Sequence, residues 1–187
     1  MTGTILIVED DSNDVFFMQQ AFKKAGVFNP VQVVSDGQQA IDYFNGDGKY
    51  ADRGVFPLPG LVLLDLKLPY VMGLDVLKWI RQETEAAAIV LIFSSSRDES
   101  DIAAAYRLGA NGYLIKPLEV SKLLELVNSI KDYWLTHNSP PPHPTAQAKH
   151  GNLPAKQSRE GATRHAGPPT PETLLNEVPS VPQKLPL

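Results

Sequence analysis

The fold turns on the stretch Leu61-Val62-Leu63-Leu64-Asp65-Leu66-Lys67-Leu68-Pro69. Four aliphatic residues in a row leave no polar face, and the run is too short for a buried helix. It reads as a strand buried on both sides, closed by an acid and then by a Leu-Pro stop. Runs of the same kind stand at Ile5–Val8, Val31–Val34, Ile89–Phe93 and Tyr113–Ile115. Between them, apolar residues recur three to four apart, the mark of amphipathic helices. Val15, Met18, Phe22 and Ala25 form one such series, and Leu74, Leu77 and Ile80 a second. Val120, Leu123, Leu124, Val127 and Trp134 form the last. Five buried parallel strands alternating with five helices predict an α/β fold built on a doubly wound sheet.

Composition bounds the rest. The chain has 187 residues, 17 Lys+Arg, 21 Asp+Glu and no cysteine, which excludes zinc ribbons, disulfide scaffolds and a cysteine nucleophile. Its longest apolar run, Ala86–Phe93, has eight residues, where a membrane span needs about 20. Met1-Thr2-Gly3-Thr4 lacks the cationic start of a signal peptide. A soluble, cytoplasmic protein is expected, with no membrane contact.

The chain divides sharply near its end. Eleven of the 16 prolines lie between Pro140 and Pro186, while all 15 aromatic residues precede Asn138. Residues 1–136 carry 12 basic and 18 acidic side chains, the remaining 51 only five and three. A Pro-rich stretch without aromatics cannot bury enough apolar surface to offset its ordering entropy. Residues 137–187 are therefore expected to be a disordered tail, and 1–136 the folded domain. Pro171–Val178, with Leu174, Leu175 and Val178 at helical spacing, is the one tail segment suited to docking on a partner.

In a doubly wound sheet, ligands bind outside the carboxyl ends of the strands. The first apolar run is followed by Glu9-Asp10-Asp11, the third by Asp65, the fourth by Ser94-Ser95-Ser96, and the fifth by Lys116-Pro117. Each has a bland reading. Asp11 or Ser12 suits a helix cap, Ser94 a satisfied core hydroxyl, and Lys116 a solvated lysine. All of these together at one sheet edge are harder to dismiss. Clustered carboxylates repel unless a cation compensates, and Mg2+ takes a few carboxylates, carbonyl oxygen and water. A lysine and a hydroxyl at the same edge suit phosphoryl oxygens, and an aspartate can accept a phosphoryl group.

These segments resemble the receiver domain of two-component response regulators, over about residues 3–135. ILIVEDD, LVLLDLKLP, IFSSSRDE and GANGYLIKPL carry the resemblance. It implies a flavodoxin-like sheet of strand order 2-1-3-4-5, with Asp65 as the phosphorylated aspartate. It also implies that Asp10 ligates Mg2+ directly, Glu9 through water, and Lys67 through its backbone carbonyl. Ser94 would be the switch hydroxyl, Tyr113 the coupled aromatic, and Lys116 the phosphate-contacting lysine before a cis Lys-Pro bond. The resemblance further implies that Lys67 overhangs the phosphoryl group and slows its hydrolysis, the bland reading being a solvent-facing lysine. Pro69-Tyr70-Val71-Met72-Gly73 departs from the family's Pro-x-Met-Asp-Gly but removes no catalytic group. The long Asn45–Pro59 segment resembles stand-alone regulators paired with phytochrome-type histidine kinases.

The expected function is a stand-alone receiver phosphorylated by a sensor histidine kinase, catalysing only its own phosphorylation and dephosphorylation. The alternative is a relay intermediate that passes phosphate to a histidine phosphotransfer protein. A haloacid-dehalogenase-like phosphatase needs a second acid two residues after its nucleophile, where this chain has Lys67. A flavodoxin-like FMN binder would find its phosphate repelled by Glu9-Asp10-Asp11. Ser–His–Asp catalysis is excluded, since residues 1–136 contain no histidine. Gly46-x-Gly48-x-x-Ala51 mimics a dinucleotide fingerprint outside any strand–helix junction and reads as a flexible loop. The tail, with few charges and no aromatics, does not suit nucleic acid. Output must then be a protein contact. Leu126, Ile130 and Tyr133 form a second apolar strip on the last helix, suited to a homodimer through the fourth helix, fifth strand and fifth helix.

Overall fold

Alternation along each strand divides the core into two layers. Ile5, Ile7, Leu61, Leu63, Ile89 and Leu91 pack on one face of the sheet, and Leu6, Val8, Val62, Leu64, Val90 and Ile92 on the other. Successive strand residues point to opposite faces, which is why the runs carry no polar face. The computed structural model describes residues 3–84 and 86–139. Nearly all of the expected tail, including Pro171–Val178, lies outside the described residues.

In chain order the elements are β1 (Thr4–Val8), α1 (Ser12–Lys24), β2 (Val31–Val34), α2 (Gly37–Asn45) and β3 (Pro59–Leu64). They continue with α3 (Gly73–Glu83), β4 (Ile89–Ser94), α4 (Glu99–Arg107), β5 (Gly112–Ile115) and α5 (Val120–Ile130). The five parallel strands are ordered β2-β1-β3-β4-β5, as expected. Met18, Ala21 and Phe22 of α1 pack on the first core layer with Leu123, Val127 and Ile130 of α5. Tyr43 and Phe44 of α2, Val76, Leu77 and Ile80 of α3, and Ala105 of α4 pack on the second. β2 and β5 are only partly buried, because they form the sheet's edges and each lacks a neighbour on one side.

Two expectations need correction. The loop after α2 is packed rather than flexible. A short 3-10 turn, Gly48–Tyr50, buries Tyr50 against Tyr43 and Phe56, with ring centroids 5.2 Å away in each case. Arg53 donates to the carbonyls of Tyr43, Phe44 and Phe56, capping the C-terminal end of α2, where carbonyls lack helical partners.

Ile130 does not belong to an exposed strip either. It is 2% exposed and packs in the α1-side core, whereas Tyr133 is 59% exposed. The inward stripe is Leu123, Val127 and Ile130, spaced four and three residues apart. Val120, placed on that stripe from sequence, is among the exposed hydrophobic residues. After Ile130 the helix widens into a π-helical stretch, Lys131–His137, where Asn138 N–H donates to the Tyr133 carbonyl. The wider turn brings Leu135 into the core. Among the described residues no helix is long and apolar enough to cross a membrane.

Candidate functional site

Sheet order places the acids together. The strand sequence reverses between β1 and β3, the position where a doubly wound sheet opens a crevice. Val8 pairs with Leu64, and Asp65 N–H continues the ladder to the Val8 carbonyl at 3.0 Å. Glu9 and Asp65 therefore leave adjacent strands side by side. On the far side, Ser94 pairs with Ile115, and Lys116 N–H donates to the Ser94 carbonyl at 2.9 Å.

Glu9 and Asp65 are 4% and 7% exposed, while Asp10 is open to solvent. Carboxylate oxygens of these three residues lie within 4.8 Å of one another. Hard oxygen donors, two sheltered and one open, fit a divalent cation that keeps part of its water. Asp65 is fixed by an N–H from Leu66 to Oδ1 at 2.6 Å. Asp11 turns away and caps α1 through Asn13 N–H at 2.7 Å.

Lys116 reaches into this cluster. Its Nζ lies 2.6 Å from Glu9 Oε2, 2.8 Å from Asp14 Oδ2 and 2.9 Å from Asp65 Oδ2. Burial is the largest influence on Glu9 and pushes its carboxyl up to about 7, with the Lys116 ammonium pulling against it and Asp65 adding to the rise. For Lys116, burial favours the neutral amine, but Asp14, Glu9 and Asp65 together outweigh it and hold the ammonium charged.

Ser94 is fully buried, and its Oγ accepts from Ser96 N–H at 3.4 Å. Tyr113 packs its ring against the second core layer and donates its hydroxyl to the Ser96 carbonyl at 3.1 Å. Ser96 in turn donates to Asp101 Oδ2 at 2.6 Å, so β5, the β4–α4 loop and α4 are tied together. Lys67 lies two residues beyond Asp65 with an exposed side chain. The Lys116–Pro117 bond is trans, a correction to the expected cis isomer. Trans is the form an X–Pro amide favours by about 0.5–1 kcal/mol.

Asp14 and Asp101, and the tie that Ser96 makes between Tyr113 and Asp101, were not anticipated. Asp14 follows the α1 cap by three residues, a position that ordinarily needs no explanation beyond the helix dipole. The Ser96–Asp101 bond spans a loop whose geometry no local pattern fixes. Glycine completes the acceptor loop: a Cβ at Gly73 would collide with the Asp65 carbonyl and the Leu66 Cα.

The model of the response regulator receiver domain matches residues 5–128. The chain belongs to the response regulator receiver family. It is 37% identical over 138 residues to the probable methanogenesis regulatory protein FilR2 of Methanothrix harundinacea, covering 73% of this chain and 86% of that one. It is 33% identical over 132 residues to the response regulator Rcp1 of Synechocystis sp., covering 70% and 88% respectively. Among solved structures, the phosphorylated cyanobacterial phytochrome response regulator RcpA matches with a TM-score of 0.70 and 33% identity, over 76% of this chain and 100% of that one. The Mn2+-bound form of Rcp1 matches with a TM-score of 0.68 and 31% identity, over 75% and 99%. Receiver-domain response regulators are not classical enzymes.

Proposed function

We propose that the protein accepts a phosphoryl group on Asp65 from a histidine kinase of the phytochrome-associated kind. The observation that carries this reading is the cluster of Asp65, Glu9 and Asp10 oxygens within 4.8 Å, with the Lys116 ammonium 2.9 Å from Asp65. An Asp65 carboxylate oxygen forms a bond to phosphorus as the bond to the donor's imidazole nitrogen breaks, and that nitrogen takes up a proton. Asp65 is held for attack by Leu66 N–H, and Lys116 offers N–H donors to the phosphoryl oxygens. Glu9, Asp10, Asp65 and the Lys67 carbonyl would hold Mg2+, which when bound offsets charge on the transferring group. Support for a divalent ion and for phosphorylation comes also from the relatives described as Mn2+-bound and phosphorylated.

The modified aspartate would draw the Ser94 hydroxyl toward its oxygens and shift Tyr113, altering the face of α4, β5 and α5. Of the expected strip, Leu126 packs partly against the α1-side core, and the exposed Tyr133 is the residue that suits a like subunit. Sedimentation with and without beryllium fluoride should show dimers only in the liganded state; a monomer in both would remove the homodimer. Residues 137–187 would be an appended tail with no part in phosphorylation. The acceptor assignment is tested by intact mass after incubation with acetyl phosphate and Mg2+. One added phosphate is expected on the wild type and none on Asp65→Asn, and labelling of the variant would overturn it.

A further inference from the structure

We propose that Asp14 is a positioning residue for phosphoryl transfer, holding the Lys116 ammonium from the α1 side. The proposal rests on the reading of Asp65 as phospho-acceptor. An ammonium has three N–H donors, and the three contacts of Lys116 are carboxylates from three different segments: Glu9 after β1, Asp14 on α1 and Asp65 after β3. A phosphoryl oxygen can gain a donor only if one of these yields.

Two of the three are committed elsewhere. Glu9 and Asp65 belong to the carboxylate cluster that suits a divalent cation, and Asp14 does not. Phosphorylation also converts an Asp65 oxygen from a charged acceptor into the bridging oxygen of an acyl phosphate. Asp14 is therefore the contact that persists through the reaction. Its side chain is 39% exposed while that of Lys116 is 14% exposed, so the pair runs from the site out to the helix surface. A lysine side chain has many rotamers and loses that freedom when its tip is fixed. Tethering its tip to a helical first turn removes much of that freedom before the donor arrives, which is how positioning accelerates transfer.

Asp14→Ala should slow labelling of Asp65 by acetyl phosphate about tenfold, with Asp14→Asn intermediate because its amide oxygen still accepts. Asp11→Asn removes the same charge and keeps a good cap, so it should label at the wild-type rate. In a Lys116→Met background Asp14→Ala should have no further effect, because its action passes through the ammonium. Divalent-cation affinity and melting temperature should stay near wild type. Equal or faster labelling of Asp14→Ala, or independent effects in the double variant, would overturn the proposal. If the wild type itself takes up no phosphate, the acceptor reading fails, and nitrogen NMR of the Lys116 ammonium tests the tether alone. Its signal should lose order in Asp14→Ala, and an unchanged signal would sink the proposal.

Discussion

Glu9 carries a costly charge. Burial lifts its carboxyl from an ordinary 4.5 to about 7, so the folded state binds a proton that the unfolded chain has already released. The stability this group contributes is present below the ordinary value and is lost as pH rises through about 7. In metal-free buffer, Glu9→Gln should therefore melt above the wild type at pH about 8, with the gap closing toward pH about 5. Divalent-cation affinity of the wild type should rise over the same window, since the proton competes for the carboxylate. Thermal melts and cation titrations across that range read both. Gly73 is the second residue with no slack: its missing side chain faces the Asp65 carbonyl. Gly73→Ala should cost about 3 kcal/mol in urea unfolding and slow Asp65 labelling, because backbone cannot move aside cheaply. Glu9, Asp10, Asp65 and Lys116 were legible in sequence because each follows an apolar run. Asp14 and Gly73 were not, since an acid in a first helical turn and a glycine at the first position of a helix both have ordinary explanations.

At the level of elements, the sequence marked all five strands within two residues at either end, because their apolar character is local. Which runs became edges was not local, and the partial exposure of β2 and β5 depends on the order of pairing. α5 shows the same division. Its amphipathic pattern was visible, but the face that meets α1 is Leu123, Val127 and Ile130, and the turn widening after Ile130 breaks the simple period. Ile130→Ala should cost about 2–4 kcal/mol by urea unfolding. Tyr133→Ala should stay within about 0.5 kcal/mol. Equal costs would mean that the inward face is misassigned. The segment after α2 read as a flexible loop because its Gly46-x-Gly48 pattern lies outside any strand–helix junction. Its order comes from Tyr50 and Arg53, whose partners lie in α2 and beyond. Tyr50→Ala should cost about 3 kcal/mol while leaving phosphate uptake on Asp65 intact, as intact mass would show.

At the scale of the whole domain, exposed apolar side chains lie beside the acid cluster. Phe16, Phe17, Leu118 and Val120 are all exposed, and a cleft between α1 and the β5–α5 loop is lined by Asp14, Phe17, Phe93, Lys116 and Leu118. A second cleft, further along α1 and α5, shares Phe17 and Val120. A small phosphodonor makes too few contacts to depend on the apolar side chains of this surface. A protein donor must instead bring a histidine to Asp65 while desolvating whatever surrounds it, and contiguous apolar side chains make that contact favourable. The two donor classes should therefore respond differently to charge placed on the patch. Phe17→Lys and Leu118→Lys should leave labelling by acetyl phosphate at the wild-type rate and slow transfer from a phosphorylated histidine kinase by roughly tenfold. Because both positions are exposed in the isolated chain, the melting temperature should barely move. Equal slowing with both donors would place the effect in the site itself rather than in docking. Unchanged transfer from the kinase would mean that the donor approaches over another face, with the β3–α3 loop carrying exposed Tyr70 and Met72 as the surface left to meet it.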